Sequence, residues 1–173
     1  MTGPAPALLT GSELVLIGHV PRAGREGGTN KPRWQQAHWN RAVAEQFFML
    51  RPGDNRSITL EKVDYEGFFA GRTSKQLVFS EVNKNPKIEF DFRPIIKYPD
   101  AGPPLLVIVE LDRLRSFRYR PLMPGQDGYA AMFRLLVELP KLGRGKPRVL
   151  TTLDEVDLRW PNACLRNPRV KPG

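Results

Sequence analysis

Cysteine is almost absent from this chain. Its 173 residues include one, Cys164, which excludes an internal disulfide framework and any cysteine-rich zinc site. Histidine is nearly as scarce. His19 and His38 are the two present, too few for most histidine-based metal sites. Long apolar runs are missing as well. No stretch reaches the roughly 20 apolar residues that cross a bilayer as a helix. The opening MTGPAPALLTG has neither the basic start nor the apolar stretch of a signal peptide. These absences predict a reducing, cytoplasmic setting without a membrane partner, although a cysteine-poor secreted chain looks the same on thiol count alone.

Acid is outnumbered by base. There are 27 Lys and Arg against 18 Asp and Glu, a net charge of +9, and the pI is about 10.1. Such a field attracts polyanions, nucleic acid first and an anionic membrane surface second. A basic surface without a specific partner is the plain alternative. The apolar share of 40% is enough for one sizeable core. Proline 17 and glycine 15 favour short elements joined by turns.

Residues 13–20, ELVLIGHV, read as a first strand. Residues 32–40, PRWQQAHWN, fit no single element. Residues 41–50 predict a short helix with Val43, Phe47 and Leu50 on one face. Strands follow at 56–63, 67–72, 75–82 and 87–92, at hairpin-like intervals. The continuous apolar run at 104–111 predicts a strand covered on both faces. At 114–122 the pattern alternates, with Phe117 and Tyr119 one way and Arg118 and Arg120 the other, predicting a core face and a solvated face. A second helix is predicted over 128–139 and one more strand near 149–152. The sum is a mostly-β (α+β) open pseudobarrel of about seven short strands with one or two short helices. The expected organisation is a flexible start at 1–12, one domain at 13–152, and a basic tail or linker at 153–173.

Two polar segments interrupt the strands. Residues 21–33, PRAGREGGTNKPR, combine three glycines with Arg22, Arg25, Thr29, Asn30, Lys31 and Arg33. Glycine-rich basic loops follow a phosphate backbone through main-chain N–H groups. The P-loop spacing is absent, and a flexible linker is the alternative. Residues 83–87 crowd Asn83, Lys84, Asn85, Pro86 and Lys87 ahead of a strand in which Ile88, Phe90 and Phe92 alternate with Glu89 and Asp91. In a major groove, Lys or Arg donates to guanine O6/N7, and Asn pairs with adenine N6/N7. Pro86 has no N–H to give a ladder, which suits a protruding loop. A solvated hairpin turn is the alternative.

The order of these parts resembles the B3-like DNA-recognition domains of restriction endonucleases, of the EcoRII N-terminal type. The parts are LVLIGHV, REGGTNK, RAVAEQFF, VNKNPKIEFDF and GPPLLVIVEL, covering roughly residues 13–112. The resemblance implies two arms that grip the major groove like a wrench. Thr29, Asn30 and Lys31 would belong to the first arm; Lys84, Asn85 and Lys87 would belong to the second. Arg72 would match a basic residue upstream of the second arm. Pro86 stands where the family's motif has an acidic residue. His19, Arg22 and Arg25 suit phosphate contacts by position and charge. The chain would then be the recognition (effector) domain of a restriction–modification nuclease. Its catalytic part would be a covalent or cognate nuclease domain, lying downstream of Gly173 if covalent. No catalytic residue, metal or cofactor is expected in this chain itself.

Two rivals come from other classes. Asp100, Glu110 and Asp112 loosely match the carboxylates of a Mg²⁺-dependent nuclease, with Asp112 where that pattern has a lysine. FRYR at 117–120 offers aromatics and arginines for stacking on single-stranded nucleic acid or RNA. Cys164 has Trp160 nearby but no histidine close in sequence, which argues against a thiol nucleophile. GRGKPR at 143–148 reads as a non-specific phosphate contact or a linker.

Overall fold

A computed structural model describes residues 3–4, 8–22, 34, 36–82, 86–112 and 114–172, with the side chains of 36–38 excepted. Among these residues the chain forms β1 (Leu14–His19), β2 (Gln36–His38), α1 (Arg41–Gln46), β3 (Asn55–Val63), β4 (Phe69–Val78), β5 (Lys87–Glu89), β6 (Leu105–Asp112), β7 (Ser116–Leu122), α2 (Tyr129–Glu138), β8 (Arg148–Thr152) and α3 (Leu153–Arg159). Six strands make one open mixed sheet in the order β4-β3-β7-β6-β1-β8, and β2 and β5 make a separate ribbon. All pairings are antiparallel except β3 with β7. The architecture is mostly β, an open pseudobarrel carrying three short helices.

Strand alternation sends neighbouring side chains to opposite faces, and both faces of the central strands are covered. On one face Leu16, Leu106 and Ile108 join Trp34, Trp39, Phe47, Phe48, Phe90 and Phe92. On the other, Val15, Ile17, Val107 and Val109 join Met132, Leu135, Val156 and Trp160. The apolar run of β6 is therefore buried on both sides, as its lack of alternation requires. The aromatic face carries the β2–β5 ribbon and α1. The second face carries α2 and α3.

Helix α1 starts because the Asn40 side chain accepts from Val43 N at 2.9 Å, which satisfies an orphan donor of the first turn. It stops at Gln46, short of residue 50. Beyond it, Phe47 and Phe48 are fully buried. The Arg56 guanidinium donates to Phe48 O and Met49 O at 2.7 and 3.0 Å, occupying carbonyls the ended helix leaves open.

Three expectations are corrected. The strands expected at 67–72 and 75–82 are one strand, β4, which runs through Gly71 at φ +117°; the local glycine signal does not outweigh continuous pairing with β3. Arg118 and Arg120 do not form a solvated face: they are 1% and 4% exposed. Each has buried acceptors. Arg118 donates to Glu61 Oε1 at 3.0 and 2.8 Å and to Leu165 O at 2.6 Å. Arg120 donates to Asn162 O, Ala163 O and Tyr65 O at 2.9, 2.7 and 3.0 Å. The stretch after 152 is not a tail either. It contains α3 and buries Leu153, Val156, Trp160, Ala163 and Leu165 in the second cluster. Its basic composition hid an apolar face at helical spacing, because Arg159 and Arg166 are spent on Glu155, Glu138, Asp154 and Asp157. Among the described residues, no helix is long and apolar enough to cross a membrane.

Candidate nucleic-acid interface

The two polar segments leave the sheet from the ends of β1 and β4 and both return through the β2–β5 ribbon. The first departs after Val20, which is 2% exposed, and returns at Trp34, which is 4% exposed. Trp34 is fixed by ring contacts with Phe92 at 4.8 Å and Tyr98 at 5.6 Å, and its Nε1 donates to Ile96 O at 3.0 Å. The second departs after buried Phe79, reaches Val82 at 95% exposure, and returns at buried Pro86. The returning chains then pair with each other. β2 meets β5 with Gln36 opposite Glu89 and His38 opposite Lys87, and Trp39 N donates to Pro86 O at 3.0 Å. Pro86, which has no N–H, still serves the ribbon through its carbonyl. The ribbon is antiparallel, so the first segment enters at its Gln36–Glu89 end and the second at its His38–Lys87 end. Trp34 is five residues from Trp39, the partner of Pro86, about 17 Å of extended strand.

Among the residues singled out from sequence, Arg25, Thr29, Asn30, Lys31, Arg33, Lys84 and Asn85 lie outside the described residues. Lys87 is exposed at the start of β5. His19 and Arg22 sit together where the first segment leaves β1. Arg72 does not join them. It pairs across strands with Glu61 and donates to Glu61 Oε2 at 2.6 and 3.2 Å. Glu61 in turn faces Arg118, whose other partner is Leu165 O of the second cluster. Arg72 also lines a concavity beside β5 together with Lys75 and Glu89.

His19 and Arg22 line a cleft of about 420 Å³ with Pro21, Tyr98, Pro99, Asp100, Gly102, Pro103 and Lys146. The Arg22 guanidinium lies over the Tyr98 ring at 5.1 Å and 3.9 Å from Asp100. Tyr98 Oη donates to Val20 O at 2.8 Å, which ties the cleft wall to the root of the first segment. Burial lowers the His19 pKa, helped by the Lys146 and Arg148 charges, so the ring is neutral near pH 7. Arg148 itself is buried over the Trp39 ring at 5.0 Å, and burial pulls its pKa down to about 10. Lys146 was carried in the GRGKPR motif. Lys97, 3.8 Å from Asp100, had no sequence signal beyond its charge.

A second concavity of about 630 Å³ runs between β4 and the chain leaving β5, with Lys62, Lys75, Glu89, Asp91, Arg93 and Tyr119 among its lining residues. It opens at the end of the ribbon where Gln36 meets Glu89. Its charges are largely paired internally. Arg93 grips Asp91 through two contacts of 2.9 Å, and Lys62 Nζ is 3.4 Å from Asp91. The Arg93 hydrogen bond is the main cause holding the Asp91 carboxyl down to about 2. Burial lowers the Lys62 pKa, and Asp91 offsets part of that.

The rival sites do not assemble. Asp100 precedes β6 beside His19, whereas Glu110 lies near the other end of β6, where its Oε1 accepts from Leu14 N at 3.2 Å. Leu105 and Glu110 alone are about 17 Å apart along the strand, too far for one metal to bridge. No group of three or more His, Cys, Asp or Glu suited to a metal occurs among the described residues. In FRYR, Phe117 and Tyr119 are 0% and 4% exposed, so neither offers a stacking surface. Comparison with protein-family models and with curated proteins finds no match to this chain, and the interface stands on geometry and chemistry.

Proposed function

We propose that this chain binds double-stranded DNA with sequence preference, through two basic arms entering one major groove. The observation that carries this reading is the β2–β5 ribbon, through which two segments about 50 residues apart in sequence both return to the core. Both segments are rich in the side chains that read base edges and phosphates. A net charge of +9 supplies salt-dependent affinity. Arg22, Arg25 and Arg33 serve the backbone. Thr29, Asn30, Lys31, Lys84, Asn85 and Lys87 serve the bases. The B3-like resemblance adds the biological setting: a cytoplasmic recognition domain whose covalent or cognate nuclease partner does the cutting.

Selection of bound oligonucleotides from a random duplex pool at stated salt tests the reading. The expected result is an enriched motif that single strands do not outcompete. Lys84→Ala or Asn85→Ala then relaxes preference at one position, by about 1–3 kcal/mol of discrimination for a bidentate contact. A pool that emerges unenriched, or variants that weaken every sequence equally, would refute it.

A further inference from the structure

We infer that the cleft at the root of the first arm is a subsite for one backbone phosphodiester, held by Arg22, Lys146 and His19. The inference rests on the duplex-binding reading and adds Lys146 and His19, which lie outside both arms, to the backbone contact of Arg22. Three separate parts of the chain build the cleft. The end of β1 brings His19, the root of the arm brings Arg22, and the loop before β8 brings Lys146. That loop is pinned, not free. Asn40 Nδ2 donates to Leu142 O and Arg144 O at 2.9 Å each, Leu142 N to Arg148 O at 2.7 Å, and His19 N to Pro147 O at 3.0 Å. Lys146 is thereby held beside His19 while remaining exposed.

The charge at the cleft favours an anion. Asp100 is the one acid among the lining residues. It lies 3.9 Å from Arg22 and 3.8 Å from Lys97, in long, exposed contacts that are worth little in water. Among the lining residues Arg22 and Lys146 outnumber Asp100 by one, and Lys97 stands beside Asp100 outside the lining. His19 is partly exposed and lines the cleft, with its Nδ1 turned inward and buried. A phosphodiester takes charge from Arg22 and Lys146 and accepts a hydrogen bond from the imidazole, sorting this contact with backbone positioning and not base reading. The groups around His19 are Arg22, Tyr98, Asp100 and Lys146 in the cleft and Arg148 on β8, while its β6 partner Leu105 is apolar. The cations there oppose protonation of the ring; a phosphate arriving among them reverses the sign and raises its pKa.

The test is the salt dependence of binding by Lys146→Gln, an exposed position, measured on the selected duplex and on a scrambled duplex, with the His19 imidazole followed by NMR. The slope of log K against log [salt] is expected to fall by about 1 on both duplexes, with their affinity ratio unchanged. Wild-type His19 is expected to titrate at higher pH with duplex bound, and the variant to show a smaller rise. An unchanged slope, a slope that changes on one duplex alone, or an unmoved His19 overturns the subsite while leaving the arms standing. If the wild type binds no duplex, the duplex reading falls, and titration with inorganic phosphate decides the rest. A response at His19 then replaces the DNA backbone by free phosphate as the ligand, and no response removes the subsite altogether.

Discussion

Arg118→Met tests the buried charge network that closes the second face of the sheet. The Arg118 and Glu61 side chains are 2% and 1% exposed. They share hydrogen bonds of 2.8 and 3.0 Å, and Arg118 also reaches Leu165 O at 2.6 Å and Arg166 O at 3.3 Å. Methionine matches the aliphatic stem but donates nothing. Glu61 then keeps Arg72 as a hydrogen-bonding partner at 2.6 Å, at the more exposed end of the network. Removing one partner of a buried pair costs about 3–5 kcal/mol, because the other charge stays desolvated. At about 2–4 °C per kcal/mol for a chain of this size, Tm falls by about 6–20 °C. Urea unfolding followed by tryptophan fluorescence measures the loss, and an unchanged m-value shows that the unfolded state is comparable. Adding Glu61→Gln is expected to recover part of the loss, since a neutral amide costs less to keep desolvated than a carboxylate. The deficit should also change little between 0.1 and 1 M salt, as buried pairs are poorly screened. A loss below about 1 kcal/mol, or one that vanishes at high salt, would show that the network is solvated and the geometry wrong.

Trp34→Ala removes a nearly buried indole at the first arm's root and is expected to cost about 3–5 kcal/mol. Trp34→Phe keeps the ring contacts but loses the bond to Ile96 O, so its unfolding midpoint should lie between the two. Equal midpoints for both variants would count against the anchor. Asp91 gives a pH dependence with a defined sign. Its folded pKa of about 2 lies below the ordinary carboxylate value near 3.9, so its contribution is present above about pH 4 and fades as pH falls towards 2. Carboxyl NMR should place the titration there, and Arg93→Gln should move it upward; a normal titration in the wild type would remove the Arg93 clamp from the account.

Much of the fold was legible because periodicity is local. The unbroken run of β6 records the surroundings of its own strand, and the alternating burial of Ile88, Phe90 and Phe92 holds although β5 ends at Glu89, short of the expected 92. The helix at 129–138 shows the same, with Met132, Leu135 and Leu136 buried. FRYR was misread for the same local reason. Alternation says that Arg118 and Arg120 face away from Phe117 and Tyr119, but not what lies there. Glu61 is 57 residues away and the accepting carbonyls 42 to 55 away. The tail was misread because its charge balance masked Leu153, Val156 and Trp160 on one face.

For the candidate site, the sequence by itself determined the supply of chemistry: excess positive charge, two glycine- or asparagine-bearing basic segments, and the strands that flank them. Those are properties of residue type and short spacing. Only the tertiary structure decided which of them meet. The β2–β5 register returns both arms to one ribbon, Glu61 ties Arg72 to the buried Arg118, and the loop before β8 places Lys146 beside His19. These are long-range pairings, fixed by which strand lies next to which, and strand order is settled by burying the two faces of the sheet together.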